Sequence, residues 1–311
     1  MAKLLDYYEE LDSNVMIFGI AKILKESHMN SGLTCRQAAD LLNISKGYYH
    51  RHLTTKPCCS IRVLKSFAKN IDSSIFSKVY ALDNVEFTGK NKKVHLPKQL
   101  DPNLAYFIGY LQGAGCLTSD RKRVIFSDEY KEQLEKVNSI SEYLFGLSGK
   151  IISVKSTLSK RFIPCLPLRS IVVNSFLHNI FGINRGVKEN LRIPGLIKND
   201  KSVLKYYLAG LFDSDGTLPK NPKKAKQLFI DLTFKDKKFI EEIKETLLNF
   251  GIETLKIYKR VAKSPSSDRI SDTYELRIRN KEMLFKFLQN IDFYHPNKAI
   301  RSRKMIELLG G

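Results

Sequence analysis

Two ten-residue stretches, YFIGYLQGAG at Tyr106–Gly115 and YLAGLFDSDG at Tyr207–Gly216, share one pattern, and this repetition restricts the fold more than any other feature of the chain. Placing Gly115 over Gly216 aligns more than the two helix ends. RVIFSDEYKEQLEKVNSISEYLFG corresponds to QLFIDLTFKDKKFIEEIKETLLNFG, each a strand followed by an amphipathic helix. RSIVVNSFLHNIFGI corresponds to YELRIRNKEMLFKFLQNIDF, again strand then helix. Each copy reads as helix, β-strands, helix, further strand and closing helix, with ENLRIPGLIKND bridging the two. Such a duplication predicts a pseudo-two-fold architecture around a shared interface, in a monomer with internal symmetry.

The interface is predicted from residue size. Ala105, Gly109 and Gly113 fall four apart on one face of the first helix, and Gly210 and Ser214 do so on the second. Small residues at that spacing let two helix backbones approach closely. The side chain before each final Gly then points out of the packed pair, and the copies differ there: Asp215 in the second, Ala114 in the first. A carboxylate at a helix C-terminus meets the negative end of the dipole and costs about 0.3–1 kcal/mol. Stability alone does not select it; a divalent cation does, since hard cations take carboxylate oxygens.

Lys and Arg number 52 against 32 acids, a net charge of +20, which favours a polyanionic partner. Five scattered cysteines without C-x-x-C pairs argue against a zinc site or disulfide framework. No apolar run is long enough for a membrane span, and the charged start MAKLLDYYEELDSNVMIFG argues against a secretory signal, so a cytoplasmic, nucleoid-associated protein is expected.

Four segments are predicted: 1–80, a linker or short hairpin at 81–100, a first half at 101–195 and a second at 196–311. Residues 1–80 read as short helices. Ser13 is the expected cap of a helix over SNVMIFGIAKILKES. In GLTCRQAADLLNISKGYYHRHLTT, Thr34 caps one helix with Ala38, Leu41 and Leu42 inward, and Ser45 caps a second. This order, with the helix in KPCCSIRVLKSFAKNI after it, resembles the Cro/repressor-type helix-turn-helix domain, which makes Lys46, Tyr48, Tyr49 and Arg51 its DNA contacts. Further basic clusters hold Arg121, Lys122 and Arg123; Lys220, Lys223 and Lys224; and Lys259 and Arg260. Strand alternation in YELRIRN sends Arg277 and Arg279 to one sheet face with Glu275.

The paired stretches resemble the two motifs of the LAGLIDADG homing endonucleases, especially the single-chain type found in inteins and as free-standing archaeal proteins. RIPGLIKNDKSVLKYYLAGLFDSDGTL is the strong match, and the resemblance covers about residues 101–311. It implies an α+β fold, an αββαββα saddle that straddles double-stranded DNA, preceded here by the small all-α helix-turn-helix domain. It implies a phosphodiester-hydrolysing endonuclease using Mg²⁺ or another divalent cation, with Asp215, and Gly113 and Ser214 beside it, as the metal positions. It also implies a supporting Lys from each half; FGINRGVK and DFYHPNK place Lys188 and Lys298 equivalently. Self-splicing is not expected, since the chain ends in ELLGG. Ala114 replaces the first catalytic acid and leaves cleavage impaired. Three readings of it stand: an engineered trap, a natural protein that has kept binding and lost cleavage, or a nickase. The function-level alternatives are a non-cleaving transcription regulator, as in bacterial sporulation regulators that join degenerate domains of this type to a helix-turn-helix, and an RNA-binding intron maturase.

Overall fold

The computed structural model describes residues 4–54, 58–82, 85–89, 92–155, 161–263 and 270–310. In the N-terminal part, the helix expected from Ser13 starts only at Ala21. Met16–Phe18 is instead a strand (β1), because Gly19 at φ 82° turns the chain before α1 (Ala21–Asn30) can begin. Helix α2 (Cys35–Leu41) opens on a capping box in which Thr34 and Gln37 exchange hydrogen bonds. Ala38 and Leu42 are buried, whereas Leu41 stays 48% exposed. Asn43, at φ 52°, makes the connection, and the Ser45 hydroxyl accepts from the Tyr48 amide at 3.2 Å to start α3 (Lys46–Thr54). There follow β2 (Cys58–Ser60), α4 (Ile61–Asn70, capped by Ser60), α5 (Ile75–Tyr80), β3 (Glu86–Thr88) and β4 (Lys93–Val94).

One expectation is corrected and one open alternative is decided. The N-terminal unit is not all-α: it carries an antiparallel sheet in the order β2-β1-β3-β4. Of the two readings of 81–100, linker or short hairpin, the structure has the hairpin: β3 and β4 pair on β1, and Phe87, Val94, Leu96 and Leu100 are buried. The strands have only two or three residues, too few to display a period of two, so only the pairing reveals them.

The remainder is two copies of one order. The first is α6 (Pro102–Ala114), β5 (Gly115–Leu117), β6 (Arg123–Ser127), α7 (Lys131–Phe145), β7 (Ile152–Lys155), β8 (Phe162–Arg169) and α8 (Ile171–Phe181). After a short helix α9 (Gly195–Lys198) comes the second: α10 (Lys201–Asp215), β9 (Gly216–Thr217), β10 (Ile230–Phe234), α11 (Lys237–Asn249), β11 (Tyr258–Lys263), β12 (Ile270–Ile278) and α12 (Lys281–Asn290), followed by α13 (Pro296–Leu309). Both sheets are antiparallel with matching orders, β5-β6-β8-β7 and β9-β10-β12-β11. The fold is thus α+β, with αββαββα twice. Asp101 and Asp200 cap the two leading helices, and Gly146 and Gly182, both left-handed, end α7 and α8.

Helices α6 and α10 pack against each other at the centre. A Cβ on Gly109 would fall on the Tyr207 carbonyl oxygen, and one on Gly210 on the Tyr106 carbonyl oxygen. Residues 104–112 and 207–213 are buried without a break, as befits helices enclosed on all sides. The N-terminal unit is fastened to the first half: Arg185 pairs with Asp12 at 3.1 Å, the Asp12 amide donates to Ser175 Oγ at 2.7 Å, and Asn179 donates to the Glu10 carbonyl at 2.7 Å.

Candidate functional site

A helix leaves its last carbonyls without intrahelical donors, at the negative end of its dipole. Here α6 and α10 end side by side, and each end receives a lysine from its own half. Lys188 Nζ donates to the Gln112 carbonyl at 2.8 Å and to that of Gly113. Lys298 Nζ donates to the carbonyls of Phe212, Asp213 and Ser214 at 3.0, 2.6 and 3.2 Å. Lys188 and Lys298 therefore occupy corresponding places in the two copies.

Asp215 leans across the pair: a Cβ on Gly113 would fall on Ser214 Oγ and Asp215 Oδ2, so only glycine leaves room for that carboxylate. The Asp215 side chain is open to solvent, yet protein atoms crowd it on its other sides. That crowding pushes its pKa up, and Lys188, Lys298 and Ser214 pull it down. Burial likewise depresses Lys188, offset in part by Asp215 and Cys116. Lys298 is pushed down to about 8 by burial, against the opposing pull of Asp213, Asp215 and Asp128. Ala114, half-buried at the end of α6, offers only a methyl group. The site is thus symmetric in its lysines and its carbonyls and asymmetric in its acid.

Beneath it lies a crossed pair of hydrogen bonds. Tyr106 of α6 donates to Asp213 Oδ2 of α10 at 2.8 Å, and Tyr207 of α10 donates to Gln112 Oε1 of α6 at 2.5 Å. Asp213 Oδ2 also accepts from the amides of Tyr294 and His295 at 2.9 Å each, fixing the chain just before Lys298. Gln112 Nε2 donates to the Arg192 carbonyl at 2.9 Å, just after Lys188. Asp213 is fully buried, which raises its pKa. Asp213, Tyr106 and Tyr207 are positioning groups beyond the candidates named from sequence. Their signal was there, since Tyr106 and Tyr207, like Gln112 and Asp213, hold equal places in the two stretches.

Among the candidate DNA contacts, Lys46 and Arg51 are exposed on α3 and Tyr48 is half-buried, but Tyr49 is corrected. It is buried, with its hydroxyl 3.0 Å from His28 Nδ1, and reaches no surface. Arg121, at φ 62°, and Lys122 are exposed in the β5–β6 turn, with Arg123 half-buried at the start of β6. Lys220, Lys223 and Lys224 are exposed around a short 3₁₀ turn. Lys259, Arg260 and Arg277 are already ion-paired: Lys259 with Asp272 at 2.7 Å, Arg260 with Glu275 at 2.7 Å, and Arg277 with Asp231 through two bonds of 2.7 and 2.6 Å. Arg279 is exposed beyond the end of β12. Of the interface residues, Ala105 is buried one turn before Gly109, and Gly109, Gly113, Gly210 and Ser214 line the contact.

Among the described residues, no three His, Cys, Asp or Glu side chains converge as a metal cluster. The carbonyls of Gly113 and Ser214, expected beside a metal, each accept from a lysine instead. Among the described residues at the two helix ends, Asp215 is the carboxylate that faces solvent, whereas Asp213 is buried. That donor set fits a cation that keeps most of its water and takes further oxygens from a phosphate, and it fits it on one side of the pair.

Residues 202–292, from α10 through β12 and α12, match the family model described as LAGLIDADG-like domain. The chain carries a LAGLIDADG-like domain. Over 238 residues, 76% of its length, it is 29% identical to glutamine–fructose-6-phosphate aminotransferase of Methanocaldococcus jannaschii, and over 218 residues 27% identical to the ATP-dependent DNA helicase Hel308 of the same organism. It spans 20% of the first and 16% of the second. Among solved structures, the full-length DUF199/WhiA protein from Thermatoga maritima is similar over 67% of this chain and 60% of that one, at 18% identity and a TM-score of 0.45. The homing endonuclease I-DmoI in complex with DNA and Mn is similar over 60% of this chain and 94% of that one, at 16% and 0.41. No helix among the described residues is long and apolar enough to cross a membrane.

Proposed function

We propose that the chain is a site-specific double-stranded-DNA-binding protein of the LAGLIDADG endonuclease type, with phosphodiester hydrolysis confined to one strand. The observation that carries this is one solvent-facing carboxylate, Asp215, at the end of a helix inside the family-matched residues 202–292, set beside a second lysine-capped helix end in a chain of net charge +20. The aminotransferase and helicase relatives catalyse unrelated reactions, and the chain spans a fifth of each or less. What they share with it is a module, so neither of their activities transfers.

On this reading Asp215 would hold a divalent cation, which supplies an activated water and charge neutralisation at the phosphate. Lys188 and Lys298, anchored on the helix carbonyls, hold positive charge at fixed positions where a phosphate's charge develops. Ala114 supplies no such oxygen on its side.

Ala114 also favours a second reading, a non-cleaving DNA-binding regulator. One assay separates the two. The protein and an Ala114→Asp variant are incubated with a selected target duplex and Mg²⁺, and nicks are scored strand by strand. Nicking of one strand by the parent and of both by the variant supports the endonuclease. A tightly bound duplex left intact by both proteins leaves the regulator.

A further inference from the structure

The two sheets can be superposed residue by residue from their hydrogen-bond registers, and their open faces then differ in kind. Cys116 pairs with Ile125 as Thr217 pairs with Asp231. Ile125 pairs with Pro167 as Asp231 pairs with Arg277, and Ser127 with Cys165 as Thr233 with Glu275. On the outer strands, Val154 faces Ile163 as Arg260 faces Thr273. In the second half, Asp231, Glu275, Arg260 and Arg277 form one ion-paired network. Their counterparts in the first half are Ile125, Cys165, Val154 and Pro167, and not one of these is charged. Ile152 and Val154 are left 44% and 43% exposed, on a shallow face bounded by Arg123 and Arg169 at one end and Lys155 at the other.

We infer that this apolar strip reads thymine methyl groups in the major groove of one DNA half-site, while the second half reads its half-site through charged side chains. The inference rests on the DNA-binding function proposed above. The thymine C5-methyl is the one apolar group that base pairs present in that groove. The strip runs from Ile163 to Pro167 along β8, roughly 13 Å at strand rise, and spans three strands, roughly 10 Å. Those dimensions match a groove about 12 Å wide over about four base pairs. The resulting area, roughly 130 Å², is far below the ~800 Å² per partner of a stable protein interface, so size favours a groove over another protein. The cations at the two ends fit the phosphates that flank a groove.

The test begins by selecting a target from a randomised duplex library and then replacing thymine by uracil, which removes only the methyl group, in one half-site at a time. The expected result is a loss of affinity of roughly fourfold per contacted methyl, in one half-site only. The loss shrinks toward nothing in Ile152→Ser and Val154→Ser, two exposed positions whose change leaves the fold intact. Uracil tolerated in both half-sites, a loss in both, or a one-sided loss unaltered by the two variants overturns the inference and leaves the DNA-binding function standing. A library that enriches no sequence removes that function, and this inference with it. A parent chain that sediments as a dimer while Val154→Ser sediments as a monomer also overturns it, since a second copy would then cover the strip.

Discussion

Lys298 sits against the C-terminal end of α10. Its Nζ serves three helix-end carbonyls, and burial holds its pKa at about 8, below the ordinary 10.5. Between those two values the unfolded chain binds more protons than the folded one, so this lysine's contribution to stability rises with pH from about 8 to 10.5. The urea midpoint of the parent, minus that of Lys298→Met, is therefore expected to increase across that window; a flat or falling difference contradicts the depressed pKa. Asp213 is the support beneath it. Asp213→Ala leaves Tyr106 and two amides without an acceptor, and a loss of roughly 3 kcal/mol or more is expected in chemical denaturation. Asp213→Asn keeps one acceptor oxygen and is expected to lose less.

At the scale of elements, the contact between α6 and α10 places both helix ends of the site. Gly109 and Gly210 are where each backbone meets the other's carbonyl, so a methyl at either pushes two helices apart along their whole contact. Gly109→Ala and Gly210→Ala are each expected to destabilise by about 1–3 kcal/mol or more, read from denaturant midpoints. Gly47→Ala is the opposite case. It lies inside α3 with nothing within 4 Å of an added Cβ, and a gain of about 0.5–1 kcal/mol is expected from the better helix former. Equal losses at all three positions would mean that the close approach at the centre is not what these glycines serve.

Across the whole molecule, one hydrophobic cluster runs through the N-terminal unit and both halves. The N-terminal unit therefore stands at a fixed place beside the first half, with Asp12 and Arg185 at the joint. With exposed lysines and arginines on α3, in the β5–β6 turn and near α13, binding to duplex DNA is expected to neutralise several phosphates. An affinity loss of roughly 10³-fold between 50 and 200 mM salt follows if six or more are contacted, measurable by fluorescence anisotropy. An affinity that ignores salt over that range removes the basic surface from the account.

The repeated stretch alone determined that there are two equivalent halves, that small residues bring two helices together, and that one acid is missing. Those properties are local in sequence: glycine spacing, a capping residue and an Asp before Gly need no partner to be legible. Tertiary structure decided the rest. Tyr49 reads as a surface aromatic until α1 covers it with His28. Residues 81–100 read equally as a linker or a short hairpin, because strands so short have no pattern until β1 pairs with them. Lys188 and Lys298 become helix caps only when each chain returns to the end of its own motif helix. The contrast between an apolar and a charged sheet face appears only once cross-strand registers bring distant residues onto one surface. In each case the deciding energy is the burial or pairing of groups far apart in the chain, and no short window of sequence contains both partners.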